Sequence, residues 1–481
     1  MGARTGKQFL EGLKDGRELW LRGERVENAA LHPELKGAAH AMAHLFDLQH
    51  DRSEECLFPD PETGEPINVS HLIPRSKEDI QRRRRGLEVY AEASVGLMGR
   101  SPDYINVTFA GFASSPAQWA IDGNEQGAEN IVGYQKKIAR EDLSLTHTIV
   151  HPTIDKTRDR DFATDGDPVP LHKVGETENG IIVRGARILA TLAPFSDELA
   201  VYPSHPAPEG TEDYALAFCI PMDTPGLVFL CRDSAAAAHA EHFDRPLSTR
   251  FDEQDAFVIF DDVEVPKDRV FIDGSIPVYN SILFGNWAPN VMQQTMIRAQ
   301  AKLEFAWGLA SRMAEVVNDT GPITQQMLGE LRCYSDLVYT SLRLAEANAR
   351  DYGEGAYFLD DGPLSALRCL VPGWFPRVNE IFHKIGSHNL LATPSRAMLD
   401  DERVRPLIDR YLHGANGVDA EERAAVFRLA WDFVGSELGN RNELYERYYF
   451  GSAPRHLQLA HLSGDRTRAN RLVEQMLRRP E

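Results

Sequence analysis

The stretch "DAFVIFDDVEVP", residues 255–266, is rich in the valine, isoleucine and phenylalanine that favour β-strands, and it ends at a proline that predicts a turn. Similar short runs follow one another over residues 146–271, separated by glycine, proline and aspartate. Among them, "GIIVRGARILAT" (180–191) is typical of a hairpin that turns at Arg184 and Gly185. The pattern predicts an antiparallel β-domain in the middle of the chain.

Helical patterns lie on both sides of this β-rich region. Residues 33–47 and 78–98 place apolar side chains at spacings of three and four, which is typical of amphipathic helices. Longer helical patterns such as "KLEFAWGLASRMAEVV" (302–317) follow the β-region and predict an antiparallel bundle. The predicted fold class is α+β, with an N-terminal helical domain, a middle antiparallel β-barrel-like domain and a C-terminal helical bundle, over residues 1–145, 146–272 and 273–481.

Charge and cysteine content restrict the class of protein. The 481-residue chain has a formal net charge of −20, which argues against binding nucleic acid or anionic membranes, because both need clustered positive charge. The dense basic run at residues 82–85 lies in a helical pattern and is typical of a solvated or inter-subunit face. Five scattered cysteines without CxxC spacing favour a reducing compartment over a disulfide framework or a zinc site. With no signal-like or membrane-spanning apolar run, we expect a cytoplasmic protein without a metal site.

Common cofactor and catalytic motifs are missing from the sequence. It contains neither a GxGxxG after a strand nor a GxxxxGK[ST], so a Rossmann dinucleotide site or a P-loop is not predicted. It also lacks HExxH and GxSxG. Any cofactor is therefore expected to bind within the helical–β–helical framework.

That order of blocks, together with "FDDVEVP" (260–266) and the stretch 180–191, resembles the acyl-CoA dehydrogenase fold. Within that superfamily, fragments spread over the whole chain resemble the 4-hydroxyphenylacetate 3-hydroxylase large-component family. These fragments are "GKQFLEGLKDGRELWLRGERV" (6–26), "MGRSPDY" (98–104), "HTIVHPTIDK" (147–156), "PLSTRFDEQDAFVIFDDVEVP" (246–266) and "YLHGANGVDAEERAAVFRLAWDFVGSELGNRNELYERYYFG" (411–451).

Members of this family are the oxygenase components of two-component, reduced-flavin-dependent phenol hydroxylases. The resemblance implies that the chain receives reduced FAD (FADH2) from a separate NAD(P)H:flavin reductase and uses O2 as cosubstrate. It also implies ortho-hydroxylation of a 4-substituted phenol through a flavin C4a-hydroperoxide. A homotetramer is implied as well, and the long C-terminal helices are compatible with it.

The family's substrate positions correspond to Arg100, Tyr104 and His147 in this sequence. The resemblance implies that Arg100 supplies a permanent charge, that Tyr104 hydrogen-bonds the phenol oxygen, and that His147 acts as a base or as a phenolate partner. From the residues alone, a surface turn in which Arg100 pairs with Asp103 is the favoured interpretation of Arg100 and Tyr104. A buried structural histidine is the plainer interpretation of His147.

Three segments match flavin-contacting parts of the family, and each has a plainer interpretation. Residues 153–156 could be an ordinary loop that follows a proline, Thr191 could be only a strand residue, and 440–451 could be an exposed amphipathic helix. The predicted cofactor-binding residues are Thr153, Ile154, Asp155, Lys156, Thr191, Arg441, Glu443, Tyr445 and Glu446.

The proline-rich stretch "LAPFSDELAVYPSHPAPEGTE" (192–212) departs from the family. In relatives the corresponding loop covers the phenol and helps to select it. Ser204 is the best match to a substrate-contacting serine there. The divergence leaves the substrate open between 4-hydroxyphenylacetate, a chlorophenol or nitrophenol, and a tyrosine-derived phenol that is free or tethered to a carrier.

Two other flavoenzyme types remain as alternatives on the same scaffold. An acyl-CoA dehydrogenase would hold FAD tightly and needs a catalytic carboxylate, for which no secure counterpart is found. A 4-hydroxybutyryl-CoA dehydratase needs an iron–sulfur cluster, and the scattered cysteines argue against one. A non-enzymatic assembly scaffold would leave Arg100, Tyr104 and His147 unexplained.

Overall fold

The computed structural model describes residues 2–154, 168–236, 240–285 and 287–478. Its first part is mainly helical, with four short strands. The helices are α1 (Gly6–Gly12), α2 (Lys36–Asp51), α3 (Ser53–Cys56), α4 (Lys77–Ala93), α5 (Pro102–Ala113), α6 (Pro116–Trp119) and α7 (Glu125–Glu141). The strands are β1 (Glu18–Leu21), β2 (Glu24–Arg25), β3 (Leu57–Pro59) and β4 (Pro66–Asn68).

The capping of α4 shows how local sequence sets these elements. The side chain of Ser76 accepts a hydrogen bond from the backbone N–H of Asp79, which satisfies one of the free donors at the start of the helix. The acidic side chains of Glu78 and Asp79 in the first turn also favour the positive end of the helix dipole.

The middle of the chain forms the predicted β-region. Its elements are β5 (Leu145–His147), β6 (His172–Glu176), β7 (Gly180–Thr191), β8 (Glu198–Val201), β9 (Leu216–Pro221), β10 (Leu227–Cys231), α8 (Ser248–Phe251), β11 (Asp255–Pro266) and β12 (Val270–Asp273). They form a six-stranded sheet in the order β2-β1-β10-β11-β7-β6 and a four-stranded sheet in the order β12-β9-β8-β5. The stretch 255–266 is one strand, as predicted.

Strand β7 is continuous, so the predicted hairpin at Arg184 and Gly185 is wrong. The strand pairs antiparallel with β11 from end to end, and the register shifts beside Gly185 because the pair carries a β-bulge. Gly185 has a φ of 120°, and a Cβ there would lie 2.6 Å from the carbonyl oxygen of Pro170. Glycine is therefore needed for a close backbone approach and not for chain reversal.

The β-region is also less uniform than predicted, because it includes strands from the N-terminal part and two parallel pairs. Strand β1 pairs parallel with β10, and β5 pairs parallel with β8. The other pairs within the two sheets are antiparallel. The α+β class and the helical–β–helical order are confirmed, while the three domain boundaries stay a prediction.

The C-terminal part is the predicted set of helices. It comprises α9 (Ile276–Leu283), α10 (Ala288–Val316), α11 (Pro322–Ala347), β13 (Arg350–Asp351), β14 (Tyr357–Phe358), α12 (Asp361–Gly386), α13 (Arg396–Asp400), α14 (Arg405–Tyr411), α15 (Ala420–Val434), α16 (Glu437–Tyr449), α17 (Ala453–Ser463) and α18 (Thr467–Leu477). Among the described residues, no helix is both long enough and apolar enough to cross a membrane.

The basic run at residues 82–85 is only partly the solvated face that the sequence suggests. Arg85 is exposed, but Arg83 is fully buried, and its Nε donates to Gln293 on α10 at 2.8 Å. Burial lowers the pKa of Arg83 to about 9. Arg83 therefore helps to attach α4 to the C-terminal helices.

Helix α5 connects the helical parts to the β-region. Its residues 103–113 are all buried, because it packs against α7, α10 and β5. Phe109 on α5 contacts the rings of Tyr134 on α7 and Phe271 on β12, with centroids 5.4 and 6.3 Å away. The N-terminus of α5 lies beside the end of β5, through Tyr104 and His147, and beside α16, through Tyr104 and Tyr449.

Candidate active site

Arg100 and Tyr104 lie together at the start of α5. The guanidinium carbon of Arg100 is 3.9 Å from the ring centroid of Tyr104 and 4.3 Å from that of Tyr449 on α16. Gly99 permits this packing, since a Cβ there would lie 2.8 Å from the Tyr449 ring. Asp103 is 4% exposed, and no ion pair joins it to Arg100 in the described structure. The arrangement differs from the surface turn that the residues alone allowed.

The guanidinium of Arg100 has no acceptor among the described residues. Its Nη1 is buried without a hydrogen bond, and only the backbone N–H is engaged, donating to Oε1 of Glu253 at 2.7 Å. Guanidinium stays protonated at any physiological pH. The result is a permanent positive charge with unused hydrogen-bond donors among tyrosine rings.

His147 is the last residue of β5 and faces the same space as Tyr104. The two rings meet edge to face with their centroids 5.6 Å apart, and Nδ1 of His147 forms a hydrogen bond with the hydroxyl of Tyr202. Burial, reinforced by the charge of Arg100, holds the pKa of His147 well below its usual range. The imidazole is therefore neutral at physiological pH.

Ser204 lies beside this group without contacting His147 directly. Its hydroxyl donates to the backbone carbonyl of Ile149, two residues after His147, at 2.5 Å. The guanidinium of Arg187 donates to the same carbonyl at 3.0 Å. The proline-rich segment after β8 is thus attached to the chain that leaves His147.

The predicted flavin segment at 153–156 is only partly covered by the structure. Thr153 and Ile154 are exposed, Ile154 by 66% of its surface. Asp155 and Lys156 lie outside the described residues. Flavin contact by this segment stays a prediction.

Thr191 and Arg441 meet at one carboxylate, that of Asp255. The Thr191 hydroxyl donates to Oδ1 of Asp255 at 2.8 Å, and Arg441 donates to both oxygens at 2.7 and 2.9 Å. Burial alone would raise the pKa of Asp255, but Arg441 and Arg232 lower it to about 2. The end of β7 and helix α16 are therefore joined by a fixed negative charge.

The same cluster extends to Arg100 through Glu253. One oxygen of Glu253 accepts from the backbone of Arg100, and the other accepts from Nη1 of Arg441 at 2.9 Å. Glu253 is fully buried. The predicted substrate residue Arg100 and the predicted flavin residues Thr191 and Arg441 are thus neighbours in one network.

The other predicted residues of α16 separate into two groups. Tyr445 joins the site, with its ring centroid 4.0 Å from the guanidinium carbon of Arg441, and its buried hydroxyl has no hydrogen bond in the described structure. Glu443 pairs with Arg447 on the outer side of the helix. Glu446 is buried against Arg298 instead, so neither acidic residue reaches Arg100, and their flavin contacts stay predictions.

Sequence reasoning missed several residues of the site, among them Asp255, Tyr202, Tyr449 and Glu253. Tyr202 lies in the divergent proline-rich stretch, where only Ser204 was selected. Tyr449 is four residues after Tyr445, a spacing that places both rings on one helix face and could have identified it. Glu253 gave no signal, because acidic residues before a strand are common in loops.

Several buried polar atoms around this network lack a partner in the described structure. They are Nη1 of Arg100, Nε2 of Gln254, Nδ2 of Asn442 and the hydroxyl of Tyr445. Buried polar groups in native proteins are normally hydrogen-bonded. A bound molecule with several hydrogen-bond acceptors would satisfy these donors.

Sequence comparison identifies related proteins over nearly the whole chain. Residues 5–272 match the family "4-hydroxyphenylacetate 3-hydroxylase N terminal", and residues 286–478 match the family "4-hydroxyphenylacetate 3-hydroxylase C terminal". The chain is 38% identical to the "4-hydroxyphenylacetate 3-monooxygenase oxygenase component" of Thermus thermophilus, over 95% of this chain and 93% of the relative. It is 32% identical to the "4-nitrophenol 2-monooxygenase, oxygenase component" of a Rhodococcus species, over 93% and 86%.

A solved structure gives the same result. The oxygenase component (HpaB) of 4-hydroxyphenylacetate 3-monooxygenase, complexed with FAD and 4-hydroxyphenylacetate, superposes with a TM-score of 0.92. Its sequence is 36% identical, and the match covers 99% of this chain and 98% of that one. These relatives favour the monooxygenase over the acyl-CoA dehydrogenase-like and dehydratase-like alternatives. Because both family regions, the relatives and the fold agree along its length, the chain belongs to the 4-hydroxyphenylacetate 3-hydroxylase family.

Proposed function

We propose that this chain is the oxygenase component of a two-component system and hydroxylates a 4-substituted phenol at the carbon ortho to its hydroxyl group, using reduced FAD and O2. The observation that carries the proposal is the guanidinium of Arg100, which is held between Tyr104 and Tyr449 and has no acceptor in the part of the chain that the structure describes. A phenolate oxygen is the ligand that this charge and these donors suit.

The phenol would bind with its oxygen towards Arg100, Tyr104 and His147. A positive charge beside the oxygen lowers the pKa of a phenol, and the phenolate is the more reactive form towards an electrophilic oxygen. Tyr104 and His147 add hydrogen-bonding groups that orient the ring. Arg100 and His147 both contact the ring of Tyr104, and this clustering supports a shared binding site for the phenol.

The residues present fit a flavin on the Thr191 side of Arg100. The free donors of Gln254, Asn442 and Tyr445 suit the two carbonyl oxygens of an isoalloxazine, which accept hydrogen bonds in both the oxidised and the reduced flavin. Thr191 and Arg441, both held by Asp255, would support its edge. Reduced FAD, when bound, supplies the oxygen chemistry with O2, while the protein orients the phenol and excludes water.

The proline-rich segment that carries Ser204 is proposed to help select the phenol. Relatives of this chain are named for different phenols, 4-hydroxyphenylacetate and 4-nitrophenol among them. Candidates are these two, a halophenol, and a tyrosine-derived phenol that is free or carrier-tethered.

We also propose that a separate NAD(P)H:flavin reductase is a partner of this chain and that the chain assembles as a homotetramer. The cytoplasmic location stays a prediction.

The test supplies the purified protein with chemically reduced FAD, O2 and a panel of these phenols, and measures the catechol products by chromatography. We expect at least one phenol to give its ortho-hydroxylated product, and we expect His147→Ala to reduce the yield. Failure of every phenol would contradict the proposal. FAD that survives gel filtration, without any phenol oxidation, would favour the dehydrogenase-like alternative.

A further inference from the structure

Tyr202 is placed by the fold to act on His147. Strands β5 and β8 run parallel, with His147 opposite Ala200, so the chain leaving β8 brings Tyr202 to Nδ1 of the imidazole. Tyr202 is 3% exposed, and its ring contacts the rings of Phe112 and Trp287 at centroid distances of 5.4 and 6.3 Å. The hydroxyl therefore has little freedom to leave the imidazole.

The direction of this hydrogen bond follows from acid–base chemistry. Burial raises the pKa of Tyr202 well above its usual value and lowers that of His147, so both groups are neutral at physiological pH. A phenolic O–H, with a pKa of about 10, is a far stronger acid than the N–H of neutral imidazole, and an imidazole nitrogen is a stronger base than a phenolic oxygen. Tyr202 therefore donates and Nδ1 accepts, which leaves the imidazole proton on Nε2.

The charged and titratable groups around His147 are consistent with this arrangement. Arg100 approaches from the segment before α5, Tyr104 from α5 itself, and Tyr202 from the segment after β8. Among the described residues, no carboxylate bonds to His147 and could hold a proton on Nδ1. The hydroxyl of Tyr104 also shares a hydrogen bond with Tyr202. When Tyr104 is the donor of that bond, the Tyr202 proton stays on the bond to Nδ1, so this contact is compatible with the Nε2–H form.

We propose that Tyr202 is a positioning residue that fixes His147 as a hydrogen-bond donor, so that the site selects phenols that bind as phenolates. The inference rests on the proposed function. Arg100 and Nε2–H of His147 then both donate to the phenol oxygen, and the phenol loses its proton to water before it binds. His147 does not receive that proton, and more acidic phenols are the preferred substrates.

The tautomer can be tested without flavin or phenol. In the full-length protein labelled with 15N-histidine, the signals of His147 are identified by their loss in His147→Gln. We expect Nδ1 in the shift range of a non-protonated ring nitrogen and Nε2 in that of a protonated one. A protonated Nδ1 in the wild type would overturn the proposal, whether or not any phenol is hydroxylated.

Phenolate binding tests the consequence, with 4-nitrophenol as the probe because its phenolate absorbs visible light. Tyr202→Phe should weaken 4-nitrophenolate binding about tenfold, because His147 loses the bond that fixes its tautomer. His147→Gln should keep most of the affinity, since its amide N–H lies near the position of Nε2–H, whereas His147→Ala should lose about tenfold. Tyr134→Phe, which alters a buried tyrosine bonded to Glu198 instead, is the matched control.

Two outcomes would contradict the proposal. Equal affinity in Tyr202→Phe and the wild type would remove the positioning role, and equal losses in the glutamine and alanine variants of His147 would remove the donor role. A wild type that binds 4-nitrophenolate but hydroxylates no phenol would instead refute the proposed function and leave the role of Tyr202 intact.

Discussion

Two arginines stack on the same tyrosine ring, and within the described residues only one of them binds a carboxylate through its side chain. The guanidinium carbon of Arg298 is 4.1 Å from the ring centroid of Tyr449, and that of Arg100 is 4.3 Å from it. Arg298 donates to both oxygens of Glu446 at 2.7 and 2.8 Å, and Lys302 donates to the same carboxylate at 2.9 Å. The side chain of Arg100 has no acceptor in the described structure.

The difference separates structural charge from charge kept for a ligand. Removing a buried cation from water costs free energy unless a counter-charge and hydrogen bonds replace the water. The fold supplies that compensation to Arg298 and Lys302, so their charges hold α10 against α16. It leaves Arg100 to be compensated by a bound anion or dipole, and this is why its surroundings are proposed as the phenol site.

The largest effect is expected from removing the shared carboxylate with Glu446→Gln. Arg298 and Lys302 would then face a neutral amide. Breaking a buried ion pair by removing one partner lowers the free energy of unfolding by about 3–5 kcal/mol. Urea unfolding measures the loss. Glu443→Gln is the control, because Glu443 pairs with Arg447 at the outer side of the same helix, and it should change stability by less than about 1 kcal/mol. Unchanged stability in Glu446→Gln would show that other groups balance the charges of Arg298 and Lys302.

Arg100→Met should give the opposite pattern, with stability kept and activity lost. The change removes an uncompensated cation and its contacts with tyrosine, two effects of opposite sign, so unfolding free energy should stay within about 1 kcal/mol of the wild type. Phenol hydroxylation should fall about 100-fold in kcat/KM, as for the loss of one charged group at a reacting oxygen. Steady-state kinetics with reduced FAD checks this. Strong destabilisation without a loss of specific activity would make Arg100 a structural residue like Arg298.

The sequence predicted the fold better than it predicted contacts between distant segments. Strand β11 and the order of blocks could be predicted because strand-forming and helical patterns are local properties of the chain. The pair Arg184 and Gly185 has the composition of a turn, but pairing with β11 decides that it is a bulge. Strands β1 and β2 and the burial of Arg83 likewise depend on partners far away in sequence.

The site shows the same division between local and long-range information. Arg100, Tyr104 and His147 were selected because they lie in family motifs, and the structure brings them together. Glu446 lies in an equally good motif, but its carboxylate is bound by Arg298 and Lys302 of α10 and does not reach Arg100. Which residue of a helical motif faces a site is set by packing, and a motif alone does not contain that information.

Asp255 beside the site is, like Glu446, a buried carboxylate paired with two cations, and the pH dependence of stability measures the strength of this pairing. Its pKa in the folded protein is about 2, below the ordinary 3.8, so its stabilising contribution is present above pH 4 and is lost as the pH falls towards 2. The shift corresponds to about 2 kcal/mol. Asp255→Asn should therefore be less stable than the wild type by about that amount at pH 7, and the difference should shrink below pH 4.

Urea unfolding of both proteins between pH 7 and pH 3 measures this difference. Asp262→Asn is the matched control, because Asp262 forms an exposed pair with Arg184 at the β-bulge. Its effect should be small over the whole range, as is usual for surface ion pairs. A difference for Asp255→Asn that stays constant down to pH 3 would mean that Arg441 and Arg232 do not lower the pKa of this carboxyl group.

The smallest effect is expected at Tyr445, whose buried hydroxyl resembles Arg100 in having no partner. Tyr445→Phe removes a polar group that the described structure leaves unsatisfied, and such a group costs about 1–3 kcal/mol, so the free energy of unfolding should rise by about 1 kcal/mol. If the hydroxyl contacts the flavin, affinity for oxidised FAD, measured by fluorescence titration, should fall about fivefold. Tyr448→Phe, on the exposed side of α16, should change neither quantity. Unchanged FAD affinity in Tyr445→Phe would show that an unsatisfied buried donor beside Arg441 does not by itself indicate ligand contact. An unpaired buried group, such as the guanidinium of Arg100, would then indicate a ligand site only when it is charged.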